Sequence, residues 1–140
     1  MSVRVFLDAN VLFSAAYREV GSVRAFFVLA KAGACSLVSS AHAIEEARRN
    51  IAARYPACLA ELARLVAELE VCPEPRASTV AMAAREGLPA KDAPILAAAI
   101  DAGCHILATG DRSDFGSLFG RRIEGTLVML PVEAIDLIVN

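Results

Sequence analysis

The 140-residue chain has no Cys-x-x-Cys pair, no His-Glu-x-x-His stretch and no Cys-x-His step. Its four cysteines, Cys35, Cys58, Cys72 and Cys104, are widely spaced, and His42 and His105 stand apart from one another. A zinc site needs such ligands at close spacing, so none is expected. Free thiols in a reducing compartment are the expectation instead. No apolar run approaches the roughly 18 residues that suggest a membrane span, so no membrane partner is expected. The first residues show no basic region followed by an apolar stretch and a small-residue cleavage site, and a cytoplasmic protein is expected. An excess of positive charge is missing too. Fourteen basic against sixteen acidic residues give a net charge of −2, which excludes a globally basic nucleic-acid binder but not a local patch. Arg48, Arg49 and Arg54 cluster in one segment, and Arg112, Arg121 and Arg122 in another. Each cluster alone reads as a solvated helix face or loop.

What the chain does have is apolar residues, 56% of the total. A domain of this length buries roughly 68–70% of the surface its unfolded chain exposes, so a substantial core is available without staples. Repeats, low-complexity tracts and linkers are absent, and residues 1–140 are read as a single domain.

The order of elements points to a fold class. Val3–Leu7 reads as a strand, and Val11–Ala32 as helix interrupted around Val20-Gly21-Ser22, with Ser22 capping the second piece and Gly33 ending it. Ser36–Ser39 is a short strand. Ala41–Arg54 is helical, with Ala43, Ile44, Ala47 and Ile51 on one face. Pro56 separates it from Ala57–Leu69, where Leu59, Leu62, Val66 and Leu69 recur at helical spacing. Glu70–Cys72 is a weak third strand, followed by helix over Ser78–Glu86 that Gly87 and Pro89 end. Asp92–Ala102 is a further helix, His105–Ala108 a strand, and Gly110–Gly120 a polar loop with one helical turn. Leu127–Leu130 is the last strand, and Val132–Val139 a short helix behind Pro131. Short, continuously apolar strands separated mostly by helices predict an α/β protein. The expected architecture is a three-layer α/β/α sandwich around a central, mainly parallel sheet of about five strands.

In such sheets ligands bind outside the carboxyl ends of the strands, and crossover helices begin at that edge. Asp8 follows strand one. Asp111 lies just past the His105–Ala108 strand, Asp92 opens the helix that feeds that strand, and Glu45 and Glu46 occupy the first turns of the helix after strand two. Four segments thus deliver carboxylates to one rim. Caps account for some of them singly: Asp8 or Asn10 for the first helix, Asp92 for its own, Asp114 for a following turn. Asp92, however, shares a helix face with Ile95 and Leu96, which points it inward. Glu45 and Glu46 flank the apolar face almost symmetrically, and periodicity alone leaves the choice open. Glu45 has Arg48 and Arg49 at ion-pair spacing, so Glu46 is favoured as the residue without a structural task. Like charges packed together repel. A hard divalent cation with oxygen ligands resolves the conflict, since no cluster of lysines or arginines stands at the rim to do so.

Three stretches, FLDANVLFSA, SSAHAIEEARRNI and KDAPILAAAIDAGCHILATGDRSDFG, resemble the successive sequence blocks of PIN-domain nucleases, and within them the VapC-like toxin components of bacterial toxin–antitoxin pairs. The blocks extend from Phe6 to Gly116. The resemblance implies a PIN-like fold and a metal-dependent ribonuclease with Asp8, Glu46, Asp92 and Asp111 as catalytic acids. Asp8, Asp92 and Asp111 would be ligands of one or two Mg²⁺ or Mn²⁺ ions, with Asn10, Thr109 and Asp114 supporting them. It selects Glu46 because that residue directly precedes a small residue and a basic stretch. Lys91, next to Asp92, is able to pair with it when metal is absent. Such ions bind the scissile phosphate and acidify a bound water, giving a 5′-phosphate and a 3′-hydroxyl without a side-chain nucleophile. Arg48, Arg49 and Arg112 would hold flanking phosphates. The partners implied are an RNA substrate, a small antitoxin protein and a second copy of the chain.

Two other readings compete. A phosphohydrolase with Asp8 as covalent nucleophile wants a second Asp two residues on, where Asn10 stands, and a downstream Lys that the sequence does not supply convincingly. A catalytically silent PIN-like or receiver-like interaction domain has no need of the four acids. The stripe along Leu59–Leu69 would offer such a domain, or a homodimer, its surface, although core packing is the commoner fate of such a stripe.

Overall fold

The computed structural model describes residues 2–18 and 21–140. Six strands, β1 (Val3–Leu7), β2 (Cys35–Ser40), β3 (Glu70–Cys72), β4 (Ile106–Ala108), β5 (Arg122–Ile123) and β6 (Thr126–Met129), form one sheet in the order β3-β2-β1-β4-β6-β5. Five run parallel, and β5 alone pairs antiparallel with β6. The helices are α1 (Ala9–Tyr17), α2 (Ala25–Lys31), α3 (Ala41–Arg54), α4 (Leu59–Val66), α5 (Ala77–Ala84), α6 (Ala93–Asp101), α7 (Arg112–Phe115) and α8 (Pro131–Val139). Helices α1, α3 and α4 pack together, as do α5 and α6. The sheet is therefore flanked by helices, as the alternation of strand and helix predicts.

The central strands β1 and β4 carry the deepest burial. Val5, Phe6 and Leu7 of β1 are fully buried, with Val5 in register with Leu37 of β2 on one side and Ile106 of β4 on the other. Burying a side chain of this size contributes about 1.5–3 kcal/mol, so β1 anchors its neighbours. The apolar stripe on α4 is likewise used inside the domain. Leu62 and Leu65 are buried, and Leu59, Val66 and Leu69 pack against the same core, which is the commoner fate of such a stripe rather than the partner surface of the competing reading.

Other differences are local. The segment expected to be helical from Val11 to Ala32 holds two helices, α1 and α2, separated by a tight turn at Ser22–Arg24. Of the expected break, Val20 lies outside the described residues. Ser22 is not a cap, since Gly21 precedes the turn and neither the turn nor α2 has a side-chain cap. Asp92 opens α6 but caps nothing with its side chain. The sixth strand was not expected. It is a two-residue β5 turned back by Glu124 and Gly125, both with positive φ (49° and 90°), the twist that a two-residue hairpin loop needs.

β1 connects to β2 on one side, whereas the chain later returns to β4 on the other. The sheet's order reverses between β1 and β4, and a crevice opens at the carboxyl ends of strands at such a point.

Candidate functional site

Asp8 leaves β1 and Thr109 leaves β4, so both side chains meet at the point where the order reverses. The Asp8 amide donates to the Ala108 carbonyl at 3.1 Å, extending the β1–β4 pairing to the rim. The buried Asp8 carboxylate caps α1 by accepting the Ala9 amide on Oδ1 at 2.7 Å. Its Oδ2 accepts the Thr109 hydroxyl at 2.7 Å and the Asn10 side-chain amide at 3.1 Å. Burial pushes the Asp8 carboxyl upward against these three donors, and the nearby charge of Glu46 adds to the rise. Asn10 closes the bracket. Its Oδ1 accepts the Gly110 amide at 2.7 Å, and its Nδ2 also reaches Thr109 Oγ1 at 3.2 Å. Thr109 Oγ1 in turn accepts the Asp111 amide at 3.1 Å. Cap and site are thus one arrangement here.

A second group of acids lies beside the first. Asp92, Asp111 and Asp114 each present a carboxylate oxygen, and these oxygens lie within 4.8 Å of one another. Asp92 is held there by α6, whose next turns, Ile95 to Ala99, are buried. Asp111 accepts the Asp114 amide at 2.9 Å and so caps α7, which fixes Asp114 on the same side. Asp114 lies inside this close group and Asp8 outside it, whereas the sequence resemblance named Asp8, Asp92 and Asp111 as ligands and Asp114 as a support. Burial, together with the neighbouring Asp114, raises Asp92 to about 6. Among the described residues one cation reaches this group. Lys91 Nζ lies 2.7 Å from Asp114 Oδ2 and 3.2 Å from Asp92 Oδ2, so the ammonium bridges two acids where the sequence suggested a pair with Asp92 alone. The rim expected to lack a cluster of lysines or arginines thus carries this lysine.

Glu45 and Glu46 separate on structural grounds. The Arg48 guanidinium grips Glu45, with Nε 2.8 Å from Oε2, and lowers its carboxyl; Arg49 adds a longer pair at 3.9 Å. Glu46 instead lines an open cleft of about 400 Å³ together with Asn10, Ser14, Gly110, Asp111 and Pro131. Ser14 escaped the sequence reading, although it sits one helical turn after Asn10 and so shares its face. Of the expected phosphate contacts, Arg48 and Arg49 are engaged with Glu45, and Arg112 is exposed on α7.

The donor chemistry suits a hard divalent cation. Asp92, Asp111 and Asp114 offer only oxygen ligands, the set that Mg²⁺ and Mn²⁺ prefer, and among the described residues these three close carboxylates face a single ammonium.

The match to the PIN domain family model runs over residues 4–113, and the chain belongs to that family. No curated protein matches it. Among solved structures it is similar to PAE2754 from Pyrobaculum aerophilum, with a TM-score of 0.69 at 19% identity over 99% of this chain and 97% of that one. It is also similar to VapBC2 from Rickettsia felis bound to a promoter DNA fragment, with a TM-score of 0.68 at 16% identity over 91% and 98% of the two chains. A third likeness is to VapC20 from Mycobacterium tuberculosis, described as a sarcin-ricin loop cleaving toxin, with a TM-score of 0.58 at 15% identity over 86% and 97%.

Proposed function

We propose that the chain is a metal-dependent endoribonuclease and the toxin of a VapBC-like toxin–antitoxin pair. The observation that carries the reading is the meeting of Asp8, Glu46, Asp92, Asp111 and Asp114, from four separate segments, around the β1–β4 crevice. Membership of the PIN family supports it, as do fold relatives that carry VapC names.

In this reading Asp92 and Asp111, with Asp8 and Asp114, would hold one or two Mg²⁺ or Mn²⁺ ions. When bound, such ions neutralise phosphate charge and acidify water, with no side-chain nucleophile required. The chain's own residues do the rest. Asp8 is oriented by the Ala9 amide, Thr109 and Asn10. Glu46, which has no hydrogen-bond or ion-pair partner among the described residues, is the base that takes a proton from an attacking water. Asn10 and Gly110 fix the distance between the two loops. Arg112 and the exposed arginines of α3 would steady phosphates either side of the cut. An antitoxin protein, a homodimer and a cytoplasmic location belong to the same proposal.

The test is purified protein on RNA with Mg²⁺, Mn²⁺ or EDTA, beside an Asp8→Asn variant. Cleavage that needs metal and Asp8, leaving 5′-phosphate ends, is the expected result. Equal cleavage under all conditions would mean a contaminating nuclease and overturn the mechanism.

A further inference from the structure

Lys91 stands out among the cations near the site. The peptide group that joins it to Asp92 is held at both ends: the Asp92 amide donates to the Pro89 carbonyl at 2.9 Å, and the Lys91 carbonyl lies 3.1 Å from His42 Nε2. Its side chain is 60% exposed all the same, and that exposed chain ends on Asp92 and Asp114. A lysine ammonium is a compact, well-hydrated point charge on a flexible four-carbon stem. It makes a looser partner than the forked guanidinium of Arg76, which grips Asp101 beside α5 at 2.8 Å. One monovalent charge also leaves the three-carboxylate group with an excess of negative charge.

We propose that Lys91 is a displaceable counter-ion: it holds Asp92 and Asp114 while the acidic group is free of metal, and is released on metal loading to grip a phosphate of the nucleic-acid substrate. The inference rests on the metal-dependent nuclease reading above. It gives Lys91 two positions. In the first its charge is spent on carboxylates, and the protein has little local attraction for a phosphodiester. In the second the same charge stands free at the edge of the cleft, on a stem anchored by Pro89 and His42. Metal binding and phosphate binding are then coupled through one side chain, and each favours the other.

The test has two readouts besides cleavage. Mn²⁺ is titrated by electron paramagnetic resonance into the full chain and into Lys91→Met and Lys91→Arg variants, with far-UV circular dichroism as the check on folding. Lys91→Met should bind Mn²⁺ about two- to fivefold more tightly, because a competing exposed ion pair is gone, and Lys91→Arg, whose fork grips carboxylates more firmly, should bind it more weakly than wild type. Binding of a fluorescent single-stranded RNA is then followed against salt in a Glu46→Gln background. Adding Lys91→Met should lower the slope of log K against log salt by about 0.7 with Mn²⁺ and leave it unchanged in EDTA. Unchanged or weaker Mn²⁺ binding by Lys91→Met overturns the counter-ion role. An equal loss of slope in EDTA overturns the release. Failure of the wild-type chain to bind Mn²⁺ at all would instead sink the nuclease reading on which both stand.

Discussion

Asn10 and Gly110, a hundred residues apart in the chain, are joined by a 2.7 Å hydrogen bond from the Gly110 amide to Asn10 Oδ1. That bond ties the loop after β1 to the loop after β4. A Cβ placed on Gly110 would come within 3.3 Å of the same oxygen, so the approach depends on glycine as well as on asparagine. Asn10→Ala removes this bond and the bonds to Asp8 and Thr109. It should cost about 1–2 kcal/mol in urea unfolding and reduce nuclease activity. Gly110→Ala should reduce activity with a smaller loss of stability.

Glu45 and Glu46 should behave as opposites although they are neighbours. Glu46→Gln should lower kcat by about 100-fold or more, the range for a lost general base. Glu45→Gln should leave activity and melting temperature close to wild type, because its partner Arg48 is exposed to solvent. A side-by-side cleavage assay decides, and loss of activity in Glu45→Gln alone would reverse the assignment.

Asp101 makes a prediction about stability. It accepts the Arg76 amide, the Arg76 guanidinium and the Thr79 hydroxyl, each at 2.8 Å, which pulls its carboxyl down to about 2. An unfolded aspartate titrates near 3.9. The depressed carboxyl therefore adds stability that is fully present above about pH 4 and is lost as pH falls through 2. Asp101→Ala should loosen α5 from α6 and cost about 1–3 kcal/mol at pH 6. The difference from wild type in denaturant unfolding should shrink as pH falls below 4.

The thiols should be unequal. Cys35, Cys72 and Cys104 are buried and Cys58 half-buried, all without disulfides. Burial pushes the Cys104 thiol up to about 12, which keeps the nucleophilic thiolate scarce at neutral pH. Brief treatment of the native protein with a thiol reagent should label Cys58 ahead of the other three, as peptide mapping would show. Rapid labelling of Cys104 would contradict the packing beneath β4.

Metal should stabilise the folded chain by mass action, about 2.7 kcal/mol at a hundred times its Kd. Because Asp92 holds its proton up to about pH 6, the rise in melting temperature with Mn²⁺ should be full at pH 7.5 and fade as pH falls through 6. Asp92→Asn should abolish most of it.

The strands and their order class were legible because VRVFL and HILA are apolar without alternation, which only a strand covered on both faces requires. The hairpin escaped because its first strand is two residues long and its turn begins with glutamate, a residue with little preference for positive φ. Asp8, Glu46, Asp92 and Asp111 were legible as a rim, since a strand end or a helix start fixes each one's height on the sheet. Lateral spacing was not. That Asp114 lies close to Asp92, and Asp8 apart from them, depends on the α7 turn and on how α6 sits, neither of which leaves a period in the sequence. The reach of Lys91 to Asp114, across 23 positions, was hidden for the same reason.

The reversal of strand order between β1 and β4 also sets a clock. Asp8 is made early, yet its partner Thr109 comes 101 positions later, and β4 is flanked on its far side by β6, later still. At translation rates of roughly 5–20 residues per second, the two halves of the rim are separated by on the order of ten seconds of synthesis. Pairings of such long sequence separation also form slowly. A growing chain therefore carries half of the candidate site for most of its synthesis, and the rim is complete only once β4 has paired with β1.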